Sequence, residues 1–519
     1  VVRITANEVS VSGFTIRNAG IDWLFPEEMG RGISLNSNGN VISGNNVNNN
    51  PEYGIYLEYS NGNIISDNNV TNNYGSIHLY LSGSNIVSDN NVISNCFGIT
   101  LAYSGSNTLR NNNMADNKYN FGLWGFEPSE FIQNIDASNL VNGKPVYYLV
   151  NQSGGHVPLD AGYVAVVNSI NITVKNLNIT NNLQGVLFAY TIDSTIENIN
   201  VTNSYYGIQL AANSSANTII GNKLANNEYT GISISRSDGN TVSGNSVTNS
   251  FHGIELYFSK VNTVRGNIVT NSKDKGIYLY YSSDNTIRDN NVINNSYSGI
   301  NLWFSGGNII YHNNFINNLH QVVSYKSANV WDDSYPSGGN YWSDYAGQDL
   351  DGDGIGDTPY PIDANNIDNY PLMGPINSFD AGTWNNIAYS VNVASNSTVS
   401  DLYFNPDEGA FIKFNVAGPD GTTGFCRVTI PKQLLWLKSI GDVWIVTVDG
   451  RSAKNLRISE DSDNTYLYFT YTHSVRHVEI RGTGVVSEFP TCTPILLMLI
   501  LLSIALAIHK RRQLKTPIH

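Results

Sequence analysis

Residues 54–73 read GIYLEYSNGNIISDNNVTNN. Two short apolar alternations flank a cluster of turn residues, and an asparagine run closes the stretch. The phrase recurs. Aligned on Gly-Ile-x-Leu, Ile33, Ile55, Ile77 and Ile99 follow one another at steps of 22 residues, and Leu123 is placed next after 24. The register lapses between Leu123 and Val186. It then runs through Ile208, Ile232, Ile254, Ile277 and Ile300 at steps of 22, 24, 22, 23 and 23. A second column keeps pace: NNV at 45–47, 68–70, 90–92 and 290–292, NNM at 112–114 and NNF at 313–315. Such self-similarity must be read before anything else, because it sets the architecture.

The apolar positions are mostly Ile and Val in period-two alternation, the pattern of strands. Turn residues interrupt every run before a helix could form, and Leu is too scarce for a leucine-rich repeat. The spacing therefore predicts a right-handed parallel β-helix over 1–330, each coil burying its Ile/Val/Leu against its neighbours at roughly 4.8 Å. Asparagines in one column should stack as amide ladders and supply left-handed corners.

Composition narrows the rest. Charged residues make up 13% of 519, the net charge is −14, and no basic stripe appears, which disfavours a nucleic-acid partner electrostatically, and none is expected. Cys96, Cys426 and Cys492 lie too far apart to read as a disulfide framework or zinc site. A Cys96–Cys426 bridge and a buried Cys96 thiol both stay open. Phe489 to Ile508 is a 20-residue apolar stretch followed by His509-Lys510-Arg511-Arg512. This predicts a single membrane-spanning anchor over 487–519 with a cytoplasmic basic tail and everything before it outside. The chain opens inside a coil and without Met, so we expect a preceding signal and cap. Sequons at Asn69, Asn151, Asn171, Asn178, Asn200, Asn213, Asn294 and Asn396 accord with glycosylation outside the cell.

Residues 127–165 break the rhythm and read as an insertion, or a longer coil with its own hairpin, projecting from one side. A capping segment with an acidic loop is expected over 331–376. From 377 to 486 longer alternating strands such as AFIKFNVAG and DVWIVTVDG predict an Ig-like β-sandwich.

The acidic loop DLDGDGIGD places Asp349, Asp351, Asp353 and Asp357 at relative positions 1, 3, 5 and 9, with Gly354 at 6 and Ile355 at 7. Alternate carboxylates on a tight loop, plus the Ile355 carbonyl, suit calcium. Tyr360 stands where an EF-hand has its bidentate Glu, so Asp363 or Asp368 would complete the shell. The expected role is a structural clamp between β-helix and sandwich.

Within each Gly-Ile-x-Leu strand the residues between the apolar ones face outward. One column reads Tyr56, His78, Thr100, Trp124, Leu187, Gln209, Ser233, Glu255, Tyr278, Asn301; the next reads Glu58, Tyr80, Ala102, Phe126, Ala189, Ala211, Ser235, Tyr257, Tyr280, Trp303. Aromatics thus gather at 56–126 and 255–303, on what should be one long sheet. Flat rings beside hydrogen-bonding groups suit a sugar polymer, which nominates Tyr56, Glu58, His78, Tyr80, Trp124, Glu255, Tyr257, Tyr278, Tyr280 and Trp303 as glycan contacts. The alternative is that these rings stack only on one another. A hydrolase would need two carboxyls about 5–9.5 Å apart, and neither Glu58 nor Glu255 has a second on its sheet. A lyase would need a base, and Arg110, Arg265 and Arg288 share a solvated column with Ser43, Ser66, Ser88 and Ser243. No catalytic residue is nominated.

The GIxL…NNV coils, LVNGKPVYYLVNQ (140–152), GGNYWSDYAGQDLDGDGIGDTPYPID (338–363) and DNYPLM (368–373) resemble the NosD-type right-handed β-helix proteins of the carbohydrate-binding and sugar-hydrolysis group. The likeness covers roughly 1–375 and is nearest the multi-coil surface proteins of archaea. SEFPTCTPILLMLILL looks like archaeal sorting tails that open with Pro-Glu-Phe, with Ser487 in place of that Pro. The family name implies a periplasmic, copper-linked role in nitrous oxide reductase maturation. The residues show no local cluster of thiol, thioether or imidazole to match it; His78, His252, His312 and His320 are single residues in different coils. The expected function is a surface-anchored protein that binds envelope or extracellular glycan. The competing expectations are a polysaccharide lyase or hydrolase and a purely structural or adhesive component.

Overall fold

A computed structural model describes residues 2–20 and 30–486, together with Ile504 and Leu506. The expected anchor over 487–519, Cys492 included, otherwise lies outside the described residues. Among those described, no helix is long and apolar enough to cross a membrane.

Two compact units emerge. The first holds 1–332, 342–345 and 360–368; the second holds 333–341, 346–359 and 369 onward. The first is a parallel β-helix of the right-handed type, the hand that parallel crossovers take almost without exception. Each coil supplies three short strands, as in Tyr53–Glu58, Ile64–Ser66 and Asn69–Thr71. Ile33, Ile55, Ile77 and Ile99 are fully buried, as are Ile232, Ile254, Ile277 and Ile300. The glycine of the motif is there because coils stack so closely. A Cβ on Gly253 would lie 2.3 Å from Val269 Cγ1 and 2.5 Å from the Gly276 carbonyl oxygen.

The asparagine columns form the expected ladders. Asn63 Nδ2 donates to Asn85 Oδ1 at 3.0 Å, and Asn85 Nδ2 to Asn107 Oδ1 at 3.1 Å. Asn85 Oδ1 also accepts the backbone N–H of Asn63 in the previous coil at 2.8 Å. A fully buried side chain is thereby satisfied on every side, which makes it tolerable in a core.

Two expectations need correction. Phe121, not Leu123, is the register partner of Ile99; the step there is 22, and Trp124 falls beside Ala102 while Gly122 falls beside Thr100. The insertion itself does not project. Leu140–Val141 continues the column of Asn113–Ala115 in parallel, and the Asn142-Gly143 turn, left-handed at both residues, sends Lys144–Val150 back antiparallel. That strand then pairs in parallel with Tyr163–Val167, the start of the later Gly-Ile-x-Leu column. The hairpin therefore changes the winding by one side. The asparagine strands of the first segment and the Gly-Ile-x-Leu strands of the second make one 15-stranded sheet. The earlier Gly-Ile-x-Leu strands form a separate six-stranded sheet ending at Tyr119–Trp124. The two aromatic zones consequently lie on different sheets.

At its far end the first unit is closed by aromatics. Trp342 stacks between Phe315 and Tyr360 at 4.7 and 4.5 Å, and its indole N–H donates to Asp368 Oδ2 at 2.9 Å. The second unit is antiparallel. Ile376–Trp384, Ile387–Ser395, Thr423–Pro431, Asn464–Thr472 and Lys454–Glu460 form one sheet, and Thr398–Phe404, Phe411–Ala417, Arg476–Arg481, Ile445–Val448 and Arg451–Ser452 another. Val391, Phe414, Cys426, Phe469 and Ile480 from both share one core. Cys96 and Cys426 are free thiols, and Cys96 is half-buried rather than buried.

Candidate functional site

The outward residues of the 15-stranded sheet begin small and apolar: Leu187, Ala189 and Ala211. They are buried in one cluster with Phe121, Leu123 and Phe131, the end of the first segment. That end therefore lies over the outer face of the second segment. Gly122 permits it, since a Cβ there would meet Leu183 Cβ at 2.2 Å. Gln184 Nε2 donates to the Leu123 carbonyl at 2.7 Å, and the Glu228 carboxylate takes both Lys118 and the Tyr119 hydroxyl. The overhang continues through the helical turn Pro128–Phe131, whose start is closed by the Glu127/Glu130 capping box. Tyr190 Oη donates to the Phe126 carbonyl at 2.6 Å, which fixes the overhang's tip.

Where the overhang stops, the underlying column turns polar, and a cleft of about 470 Å³ opens between the two. Trp124, Phe126 and Tyr103 border it from the first segment. Gln209, Ser233, Glu255 and Tyr278, in one register column, border it from the second. Tyr206, Tyr229, Tyr257 and Tyr280 flank that column, and Arg236 stands at the rim with its guanidinium 4.3 Å from the Phe126 ring centre. Concave, aromatic-lined clefts with a few convergent polar groups are where small-molecule and saccharide ligands bind.

Glu255 is the chemical centre. It is 6% exposed, and its carboxyl meets only Thr230 Oγ1 and Ser233 Oγ, each at 3.5 Å. Burial pushes its pKa up to about 7, against the weaker pull of those hydroxyls and Lys275. Tyr229 is pushed up to about 12 by burial and then by Glu255. Tyr206 and Tyr278 are raised for the same two reasons. His252, on the same strand, is buried and held neutral, its pKa lowered to about 4 by burial and then by Lys275. Lys275 Nζ is tied to Asp274 Oδ2 at 2.5 Å. The cleft can thus present a carboxyl that is half ionised at neutral pH among phenols that stay protonated.

Of the sequence-nominated glycan contacts, Trp124, Glu255, Tyr257, Tyr278 and Tyr280 meet in this cleft. Tyr56, Glu58, His78 and Tyr80 lie on the other sheet. Tyr56 and His78 are buried rather than presented. Arg31 covers Tyr56 at 3.8 Å, His78 stacks on it at 5.5 Å, and no face is left for a ligand. Trp303 lies outside the cleft and stacks on Tyr325 at 4.3 Å. Tyr257 and Tyr280 stack on one another at 5.2 Å and 4°, so each has one face covered by the other. Tyr206, Tyr229, Arg236 and Gln209 were not nominated. The run Ala189, Ala211, Ser235 before Tyr257 was the available signal: small side chains where something sits on the sheet.

In the second unit Asp349, Asp351 and Asp353 bring carboxylate oxygens within 4.8 Å of one another. Asp349 Oδ1 accepts the Gly352 N–H at 2.7 Å and Oδ2 the Gly354 N–H at 2.8 Å, while Gly354 holds φ +88°. Asp353 Oδ1 accepts the Ile355 N–H at 2.8 Å, and Asp357 Oδ2 that of Leu350 at 2.5 Å. Burial, then neighbouring carboxylates, raise Asp351; burial foremost raises Asp353. The proposed completing ligands are engaged elsewhere, Asp363 with Asn366 and Asp368 with Trp342.

A family profile described as periplasmic copper-binding protein (NosD) matches residues 15–133 and 137–347. No curated protein matches the chain significantly. Among solved structures, a mutant of the periplasmic alginate epimerase AlgG is 16% identical, covers 61% of this chain and 72% of its own, and superposes with TM-score 0.31. The A-module of the Azotobacter vinelandii mannuronan C-5 epimerase AlgE6 is 12% identical over 62% of this chain and 91% of its own, with TM-score 0.28. The DFA-IIIase of Arthrobacter chlorophenolicus is 12% identical over 55% and 80%, with TM-score 0.26. Likenesses at these identities and TM-scores carry no argument about this chain. The copper in the family description does not fit the residues present. Among the described residues the only convergence of three potential ligands is the Asp349 trio, all hard oxygen, whereas copper takes imidazole, thiolate or thioether.

Proposed function

The chain belongs to the NosD family, and from that premise we propose that it is a β-helix protein of the cell envelope that binds polysaccharide in the cleft between Trp124 and Glu255. The observation that carries the reading is the cleft itself: aromatic walls around Gln209, Ser233 and a scarcely bonded carboxyl, the surfaces a polyhydroxylated ring needs. The family's description as periplasmic supports a location outside the cytoplasmic membrane. An anchor over 487–519 would hold it there. Binding of the full chain to a glycan array, competed by free oligosaccharide, tests the proposal. An array without a single saturable signal would overturn it.

A second reading is an enzyme acting on the same ligand, favoured by Glu255 poised near neutrality in a dry site. It predicts release of new reducing or unsaturated ends. We further propose that the 349–357 loop holds calcium and that the 377–486 region is a β-sandwich. Bound calcium would brace the loop beside Arg427, whose Nε donates to the Asp353 carbonyl at 3.1 Å.

A further inference from the structure

Arg236, at the cleft, has no ion-pair partner among the described residues. Arg236 is exposed at the rim, held in a left-handed turn (φ 50°) with its guanidinium over Phe126. Its turn position is occupied in the next three coils by Phe258, Tyr281 and Phe304, so an aromatic ring would serve a purely structural role there. Among the described residues no acid forms an ion pair with it. Glu130 of the overhang is occupied by the backbone N–H groups of Phe126 and Glu127. Guanidinium is the group suited to planar or tetrahedral oxyanions, and stacking on a ring preorganises it.

Opposite in character, Glu255 has no cation in hydrogen-bond contact. The groups that face it are Thr230 and Ser233 on one neighbouring strand, Tyr278 and Lys275 on the other, and Tyr206, Tyr229 and Tyr205 alongside, with His252 on its own strand. Lys275 is committed to Asp274, and His252 is neutral. A site whose arginine has no ion-pair partner among the described residues, and whose carboxyl burial keeps from ionising fully until above neutrality, is arranged to accept negative charge.

We propose that the ligand of this cleft is an acidic saccharide, its carboxylate or sulfate held by Arg236 and its hydroxyls by the carboxyl of Glu255. The inference rests on the saccharide reading above. An anion held in the same cleft disfavours ionisation of Glu255, and its hydroxyls can accept from that carboxyl only while it keeps its proton, so binding and proton retention are coupled and affinity falls as pH rises through neutrality.

The test is calorimetric titration of the full chain with three chain-length-matched probes: tetragalacturonate, a sulfated carrageenan tetrasaccharide and neutral cellotetraose. At pH 6 one or both acidic probes should bind at least about tenfold tighter than cellotetraose, the two arms telling carboxylate from sulfate. Arg236→Gln should weaken the acidic probe about 10–100-fold, the range of a charge-assisted hydrogen-bond pair, with melting unchanged. Raising pH from 6 to 8 should weaken the wild type about tenfold, and Glu255→Gln should flatten that profile. Equal or tighter binding of cellotetraose, or an unaltered acidic affinity in Arg236→Gln, would overturn the proposal while leaving the saccharide reading standing. Failure of all three probes alongside a blank glycan array would remove both.

Discussion

Ala102 and Trp124 stand side by side on neighbouring parallel strands, in direct register. This places Trp124 one column away from the position that counting along the sequence suggests, and so at the lip of the overhang above Glu255. If the lip is the stacking platform, Trp124→Ala should weaken glycan binding about 10–30-fold, the cost of losing an aromatic hot spot of about 2 kcal/mol. Trp303→Ala, outside the cleft, should leave affinity within about twofold. Both are read by titration with the tightest array ligand; a larger loss in Trp303→Ala would move the site to the exposed aromatic strip.

The asparagine ladders predict that single amides matter to stability. Asn262 Oδ1 accepts both the backbone N–H and the Nδ2 of Asn240, at 2.8 and 3.1 Å, and its own Nδ2 donates to Asn285 at 3.1 Å. Asn262→Ala leaves these buried groups unpaired and should destabilise the coil by about 2–4 kcal/mol. Hydrogen exchange should show the loss concentrated in the adjoining coils, because each coil rests only on its neighbours. Uniform loss across both units would contradict this.

Glu255 gives a stability prediction with a definite sign. Its folded pKa of about 7 lies above the ordinary 4.5, so the folded state holds a proton that the unfolded state has released between those values. Stability therefore falls as pH climbs from 4.5 to 7, by an order of 3 kcal/mol. His252 works oppositely, since its lowered pKa makes folding more favourable as pH rises from about 4 to 6.5. Comparing wild type with Glu255→Gln isolates the first effect. The variant should gain relative stability at pH 8 and none at pH 4. Parallel curves at all pH values would show that the carboxyl titrates normally.

Calcium should raise the melting temperature of the wild type, with about 2.7 kcal/mol gained at one hundred times the dissociation constant. Asp351→Asn combined with Asp353→Asn should abolish the response. Identical melting with calcium and with chelator would discard the metal.

The winding was legible because Ile55, Ile77 and Ile99 repeat faithfully and every coil solves one problem, covering its neighbour's apolar face. The cleft was not. It depends on the Asn142-Gly143 turn, which reads plainly as a hairpin but does not announce that the chain resumes on a different side. Trp124 and Glu255 are brought together by that change of side alone, a contact between distant stretches that no local period encodes. Tyr56 and His78 offer an aromatic beside an imidazole, but Arg31, just before the motif glycine Gly32, covers Tyr56, and His78 stacks on it.

The hairpin also makes coil number a measure of length. Between Lys144–Val150 and the strand bearing Glu255 lie the strands beginning at Tyr163, Gln184, Tyr206 and Thr230. Removing one of those laps would slide the carboxyl back beneath the lid formed by Leu123 and Phe131, and adding one would carry it into open solvent. Laps added beyond Ser298–Trp303 would lengthen the rod and leave the pocket untouched. Evolution can therefore vary this molecule's reach freely at one end, while the count at the other is held to a single value by the geometry of the cleft.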